Sequence, residues 1–591
     1  MTDSPNRLYE FGPFRLDPHK RLLWRNGEPI SIKPKVFETL LVLVQNRGRV
    51  LEKNELMRLL WPDAVVEEGN LNKNISELRR LLGESAREHL YIVTVSSRGY
   101  NFVAGVRELA AEGEETIAAT RTQITIRREE EPAPPPHSIA VLPFVGLSAE
   151  PGNEYFGLGI ADALITRLSK LRQMVVRPTS AIARFAATGQ DAAAIGRELR
   201  VAAVLEGGIR RAGGRIRVSA QLVSAGEGRT LWAAQFDEKF TDIFTVEDQV
   251  STRIASAFAP EMMDEERKLL QQRFTEDIEA YQLFWQGRYH FNQLPLRLEK
   301  SIACFQKALG RDPRFAQAHV ELAMCHCFRG YFEQAPPREC YLLAQAAVEK
   351  ALELDEHLAE AHVALGRIKH EYEWDWAGAE KAYLRAIELS PHLAIAHTYY
   401  ALYLCTMGRA EALTRITRAQ ELDPVSPLNP TIRGGVLMHQ RQYDKAIDVF
   451  RSVLETAPAY YPALWNLGMA YEQLGAYNEA IAVFEQARSE ANLIHILPHL
   501  AHAYAIAGRR AEAEQALAEL HAQAERQYVS PFAFVHIYAG LGEVDQAFEW
   551  LERAYQARDP KLHYLKVHPR WDSLRADPRF DDLLRRMGLS A

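Results

Sequence analysis

A chain of 591 residues exceeds what a single hydrophobic core supports, so several domains or a repeat array are required. Apolar residues at 47% and charged residues at 25% exclude a disordered or collagen-like chain, and the net charge of -7 is too small to argue for or against a polyanionic partner. Five cysteines, an odd number without framework spacing, exclude a disulfide scaffold and point to a reducing compartment.

The start, Met1-Thr2-Asp3-Ser4-Pro5, lacks the basic-then-apolar pattern of a secretory leader, and no apolar run reaches the roughly 18 residues of a membrane span. The expectation is a cytoplasmic chain with no membrane partner. Residues 1 to 105 hold 16 Lys/Arg against 13 Asp/Glu, a local basic excess in a chain that is acidic elsewhere.

In chain order, Tyr9 to Asp17 and Arg21 to Arg25 read as strands, and Asn26-Gly27 turns into a further strand at Pro29 to Ile32. Pro34 starts a helix whose apolar face is Val36, Phe37, Leu40, Leu41 and Val44, and a second helix spans about Lys53 to Leu60. The third, from about Asn70 to Leu82, places Leu71, Ile75, Leu78 and Leu82 on one face at spacings of four, three and four. The other positions, Asn70, Asn72, Lys73, Asn74, Ser76, Glu77, Arg79 and Arg80, are polar, and their amides and cations suit base edges and phosphates. Two strands, Tyr91 to Val95 and Tyr100 to Val103, flank Ser96-Ser97-Arg98-Gly99, which presents Arg98 at a hairpin tip.

Residues 106–137, rich in Glu and ending in Pro132-Ala133-Pro134-Pro135-Pro136, read as a linker. From 138 to 260 the pattern is α/β: a strand at Ser138 to Phe144, a helix from about Leu158 to Leu171, a strand at Met174 to Arg177, a helix over residues 191–200 and three strands between Ala202 and Lys239. Gly157 and Gly159 lack the further spacing of a dinucleotide loop, so no cofactor is expected.

From residue 275 to 591 a repeat takes over, with Pro391, Pro424 and Pro458 spaced by 33 and 34 residues and each preceded by a helix-period segment. That is the tetratricopeptide period, and it implies about seven or eight helix pairs stacked into a superhelix whose concave face takes a peptide or protein ligand. Tyr399, Tyr400, Tyr403, Tyr460, Tyr461, Trp465 and Tyr471 are candidates to line it, and His362, His397 and His502 recur in first helices. Cys325 and Cys327 point about 200 degrees apart on a helix and cannot share a metal, so no metal site is expected.

The order of strands, three helices and a hairpin, with Asn70-Leu71-Asn72-Lys73-Asn74-Ile75-Ser76-Glu77-Leu78-Arg79-Arg80-Leu81-Leu82-Gly83 and Arg98-Gly99-Tyr100-Asn101-Phe102, resembles the OmpR/PhoB-type winged helix over residues 7–105. The resemblance implies that the third helix enters the major groove of double-stranded DNA and that the hairpin touches the minor groove. Asn70, Asn72, Lys73, Asn74, Ser76, Arg79, Arg80 and Arg98 are then the expected DNA contacts. It also implies that the loop with Trp61, Asp63, Glu67 and Glu68 can meet RNA polymerase, and it leaves a homodimer on DNA open.

No phosphoacceptor domain is expected ahead of the winged helix, so the expected layout is similar to the CadC/ToxR-like group, with a linker in place of that group's membrane span. Ile139 to Phe144, Phe156 to Asp162 and the hairpins around Leu205-Glu206-Gly207-Gly208 resemble a TolB amino-terminal-like domain. The expected fold class is multidomain α+β: winged helix-turn-helix, then α/β domain, then all-α tetratricopeptide superhelix. With no P-loop, nucleophile elbow, HExxH or paired-cysteine zinc spacing, the chain reads as a non-enzymatic transcription regulator. The alternative is a tetratricopeptide docking scaffold with a non-selective or inactive winged helix, to which Glu77, an acid on the recognition face, gives weight.

Overall fold

The computed structural model describes residues 7–18, 21–25, 28–30, 32–47, 51–60, 68–84, 91–95, 99–102, 104, 106–110, 137–146, 156–171, 173–185, 191–212, 215–239, 243–258, 270, 273–291, 297–491 and 496–589. The chain forms two compact units, Met1–Arg128 and Glu129–Ala591.

The first unit opens with strands β1 (Arg7–Phe11), β2 (Phe14–Asp17), β3 (Leu22–Arg25) and β4 (Glu28–Ile30) in an antiparallel meander. Gly12 turns β1 into β2 at φ +53°, and a Cβ there would also come within 2.9 Å of the Tyr91 hydroxyl, so the position needs glycine twice over. Helix α1 (Pro34–Gln45) starts on proline and buries Val36, Phe37, Leu40 and Val44, as its periodicity dictates. Strand β5 (Leu51–Glu52), helix α2 (Lys53–Leu60), helix α3 (Glu68–Leu82) and strands β6 (Ile92–Val95) and β7 (Gly99–Phe102) follow, with β7 pairing both β5 and β6.

One element lies where the sequence reads as linker. Strand β8 (Arg107–Ala110) returns to pair antiparallel with β1, Tyr9 opposite Glu108 and Glu10 opposite Arg107, making the first sheet five-stranded. The boundary at 105 is therefore too early. A four-residue strand of mixed charge shows no periodicity to read, and only its partner defines it.

The second unit begins with β9 (Ser138–Val141), β10 (Val145–Gly146), α4 (Phe156–Leu168), β11 (Val175–Val176), α5 (Thr179–Ile182) and α6 (Ala192–Glu198), the last capped by the Asp191 side chain. Strands β12 (Ala203–Ala212), β13 (Arg215–Ser224) and β14 (Thr230–Lys239) and helix α7 (Ile243–Phe258) complete a mixed sheet of order β11-β9-β12-β13-β14, with β10 on β12.

Among the described residues eight helix pairs follow: α8 (Ile278–Phe291) with α9 (Leu298–Arg311), α10 (Ala316–Tyr331) with α11 (Pro337–Leu354), α12 (Ala359–Ile368) with α13 (Trp376–Leu389), and α14 (Ala394–Thr406) with α15 (Ala412–Leu422). The other four are α16 (Leu428–His439) with α17 (Tyr443–Thr456), α18 (Tyr461–Gln473) with α19 (Tyr477–Ala491), α20 (Leu497–Ile506) with α21 (Arg510–Ala524), and α22 (Pro531–Leu541) with α23 (Val544–Gln556). Four of these pairs close by one device. A Cβ on Gly287, Gly366, Gly434 or Gly468 would lie within 2.6 Å of the partner-helix ring of Phe305, Tyr383, Phe450 or Phe484, so each glycine is the hole into which an aromatic knob fits.

The α/β layer and the repeats, read from the sequence as separate domains, form one unit. A single hydrophobic core runs from Ile139 and Leu164 through Tyr281 and Trp285 to Phe315 and Cys325. Gly159 is a seam residue, because a Cβ there would sit 2.3 Å from the Trp285 indole, whereas Gly157 is needed within the α/β layer, where a Cβ would strike the Phe144 carbonyl. Buried and half-buried polar groups lock the seam. Arg167 bonds Glu247 (3.2 Å) and Asp248, the Tyr281 hydroxyl donates to Glu247 (3.0 Å), and Arg288 bridges Asp162 and Glu321 at 3.1 Å each. Farther along, Arg177 donates to the carbonyls of Glu421 (2.7 Å) and Leu422 (2.8 Å) at the end of α15, and the Ser180 hydroxyl donates to Asp423 (2.7 Å).

The inner face expected to hold a peptide carries the chain's own C-terminal segment. After α23 the chain makes short helical turns at Pro560–Tyr564 and Pro569–Trp571 before α24 (Pro578–Arg586). Lys561 pairs with Glu333, the ring of His563 lies 4.6 Å from His370, and those of Tyr564 and His568 each lie 5.2 Å from His439. Arg570, 5% exposed, donates to Glu472 and to the ring nitrogens of His499 and His536. Of the aromatics expected on this face, Tyr399, Tyr461 and Trp465 line a residual cavity, whereas the Tyr400 hydroxyl bonds Glu380 and that of Tyr471 accepts from Arg451.

His362 and His397 are turn staples: the Nε2 of each lies 2.9 and 3.0 Å from the carbonyl six residues earlier, as does that of His319 at 3.0 Å. His502 instead faces the Glu472 carboxylate at 3.0 Å. Cys325 and Cys327 are buried in two different hydrophobic clusters, on opposite sides of α10. Among the described residues no helix is long and apolar enough to cross a membrane.

Candidate nucleic-acid interface

Helix α3 is fixed by its apolar stripe. Leu71, Ile75, Leu78 and Leu82 are at most 2% exposed and share one core with Leu40, Val44, Leu56 and Phe102. Burying four such side chains contributes roughly 6–12 kcal/mol before entropy is counted, ample to hold the orientation of the helix about its axis. With that face committed, Asn70, Lys73, Ser76 and Arg80 fall on the opposite side and are exposed. Their spacings of three, three and four keep them on one ridge along the helix.

Two of the expected contacts are turned inward. Asn74 is half-buried, and its amide donates to the Thr39 hydroxyl at 3.0 Å, tying α3 to α1. Arg79, with a side chain only 13% exposed, sends Nη2 to the Ile92 carbonyl at 2.8 Å and lies 3.6 Å from the Glu84 carboxylate. Glu84 in turn accepts from the backbone N–H groups of Tyr91 (2.6 Å) and Ile92 (3.0 Å). Arg79 and Glu84 thus clamp the first hairpin strand, β6, to the end of α3. Arg79 holds α3 and β6 together, its side chain turned toward Ile92 and Glu84.

Glu84 follows Gly83, which ends α3 at φ +75°, and nothing in a lone acid after a helix marks it as the anchor of a strand eight residues on. Glu77, the acid on the recognition face, accepts from Lys33 Nζ at 3.0 Å, so its charge is offset where a phosphate would otherwise be repelled. Asn72 lies within α3 and Glu68 opens it, but their side chains fall outside the described residues, as do Arg98 and the loop residues Trp61, Asp63 and Glu67.

Three family models match the chain. Residues 27–102 match "Transcriptional regulatory protein, C terminal", residues 136–255 match "HilA/YgeH-like transcriptional regulator, second domain", and residues 437–495 match a tetratricopeptide repeat. The middle match covers the domain whose sequence resembles a TolB amino-terminal-like domain. Among curated relatives, the transcriptional regulator HilA of Salmonella typhi is 23% identical over 431 residues, 71% of either chain. "Putative adenylate cyclase 3" of Rhizobium meliloti (strain 1021) is 35% identical over 197 residues, 32% of this chain, and the match spans only 34% of that relative. The transcriptional activator CadC of Escherichia coli (strain K12) is 30% identical over 111 residues, 18% of this chain and 22% of that one.

Proposed function

We propose that this chain, which carries an OmpR/PhoB-type winged helix ahead of a HilA-like second domain and tetratricopeptide repeats, is a transcription regulator that reads promoter DNA through α3. The observation that carries the proposal is the division of labour on α3. Four leucine and isoleucine side chains lock it down, while Asn70, Lys73 and Arg80 remain exposed on one ridge. An amide followed by two cations along the ridge suits a major groove, where Asn reads adenine, Arg reads guanine and Lys meets phosphate. Arg98 at the hairpin tip is proposed to reach the minor groove or a phosphate, and the loop with Trp61, Asp63, Glu67 and Glu68 to contact RNA polymerase.

The second unit is the proposed receiver of a cytoplasmic signal or protein partner. Its α/β layer and repeats share one core, so a change in one reaches the other through packed side chains. The relatives named as regulators support a non-catalytic role, and no chemistry is assigned to the likeness with a cyclase. The domain divisions proposed are 7–110 for the winged helix, with 138–260 and 275–591 as parts of one unit.

The test is selection of bound fragments from a random-sequence DNA pool with the full chain, followed by binding of the selected site across salt concentrations. Replacing Lys73 or Arg80 with Ala should weaken binding, a phosphate contact also lowering the salt slope by about one and a base contact relaxing one position of the site. Enrichment of no sequence, or indifference to both substitutions, would overturn the reading in favour of a docking scaffold.

A further inference from the structure

Between the first helices of the repeats and the returning C-terminal segment lies a cavity of about 210 Å³, bounded by Phe328, Tyr331, Tyr399, Ile432, Trp465 and Tyr564. Its walls are mostly rings and aliphatic side chains, and Arg367 and His439 face it with hydrogen-bonding capacity unused among the described residues. Arg367 is 1% exposed; its Nε donates to the Glu371 carboxylate at 2.9 Å, and its guanidinium lies 4.0 Å from the centre of the Phe328 ring, yet Nη1 has no partner among the described residues. His439 Nδ1 lies 3.1 Å from the Cys405 thiol, and its Nε2 has no partner among the described residues. Burial pushes the Cys405 thiol up to about 12 and the His439 imidazole down to about 4. The thiol therefore keeps its hydrogen, and because sulfur is a weak acceptor and an imidazole nitrogen a strong one, we assign the thiol as donor to Nδ1, which places the imidazole hydrogen on Nε2. Both orphan groups are then donors, and native proteins leave few buried donors unmet.

From this geometry we infer that the cavity binds a small, uncharged aromatic compound carrying a carbonyl-type acceptor, its ring against the aromatic wall and its oxygens toward Arg367 and His439. The absence of charge follows from Glu371, which already balances Arg367, so an anion would enter with no counter-charge. Size agrees, because an apolar cavity of about 150 Å³ accepts benzene and about 210 Å³ leaves room for two fused rings. Such a molecule would touch Tyr564 and so sense whether the C-terminal segment is seated. The inference does not depend on the winged helix reading DNA.

Calorimetric titration of the full chain with coumarin, an uncharged bicyclic lactone, tests it, with indole (a donor and no carbonyl) and coumarin-3-carboxylate (an anion) as matched probes. Coumarin should bind saturably and about tenfold more tightly than either, the ratio expected from one hydrogen bond left unmade. Gly435 lines the cavity with only Asn466 near a Cβ built on it, so Gly435→Leu fills the space without a backbone clash and should abolish binding. His439→Phe, which removes one donor, should cost about tenfold. No saturable binding of coumarin, equal binding of the three probes, or binding indifferent to Gly435→Leu would each overturn the inference.

Discussion

Helix α3 and the first helices of the repeats follow the same amphipathic plan, one face packed on a neighbour and a polar or aromatic face left over, and they dispose of the remainder in opposite ways. On α3, Asn70, Lys73 and Arg80 stay exposed, and the nearby acid is offset by Lys33. On the repeats, Glu472, His499 and His536 are sealed by Arg570 from the chain's own end. Spacing within a helix tells which residues its nearest neighbour does not use. It does not tell whether a segment a hundred residues away returns to cover them.

That contrast is open to attack at its strongest point. Arg570→Met should leave the Glu472 carboxylate buried without its cation and destabilise the second unit by about 3–5 kcal/mol, read as a lower urea midpoint. The same substitution should leave DNA affinity unchanged, because the winged helix lies in the other compact unit. A matching loss of DNA binding would show that the two regions are not independent.

The seam inside the second unit sharpens the comparison through pH. Burial pushes the Asp423 carboxyl up to about 6, so the folded state holds its proton more tightly than the unfolded chain does. The resulting stability is fully present below about pH 4 and is lost as pH rises through 6, a decline of roughly 2–3 kcal/mol. Glu247, pushed up to about 7 by burial, acts in the same direction a little higher. Thermal melts of Asp423→Asn between pH 4 and 7 should show the lower half of that slope flattened.

Smaller effects separate Arg79 from Arg80. Arg79→Ala removes the donor to the Ile92 carbonyl beside the half-buried clamp and should lower the stability of the winged helix by about 1–2 kcal/mol, seen in its melting midpoint. Arg80→Ala should leave that midpoint within about 0.5 kcal/mol and act on DNA affinity alone. If the two substitutions behaved alike in both measurements, the distinction between clamp and contact would collapse.

Much of this was legible from periodicity. The stripe Leu71, Ile75, Leu78, Leu82 defines its own buried face, and the recurrence of Pro391, Pro424 and Pro458 counts out the helix pairs. What escaped was whatever depends on residues distant in sequence. Arg79 reads as one more basic residue on a polar face until Glu84 and Ile92 come to meet it, and Gly159 reads as a weak loop signal until Trp285 lies against it. A change of periodicity divides the α/β layer from the repeats in the sequence, whereas the core ignores that change because Trp285 packs against Gly159 and shares one cluster with Ile139 and Phe315.

The return of β8 to the edge of β1 has a practical corollary for anyone isolating the DNA-reading part. A fragment cut at residue 105 would strip a partner from Arg7–Glu10 and leave a bare row of amides and carbonyls that invites pairing between copies. One cut beyond Ala110 keeps that row occupied, so two fragments differing by a handful of residues should differ in whether they stay monomeric at high concentration.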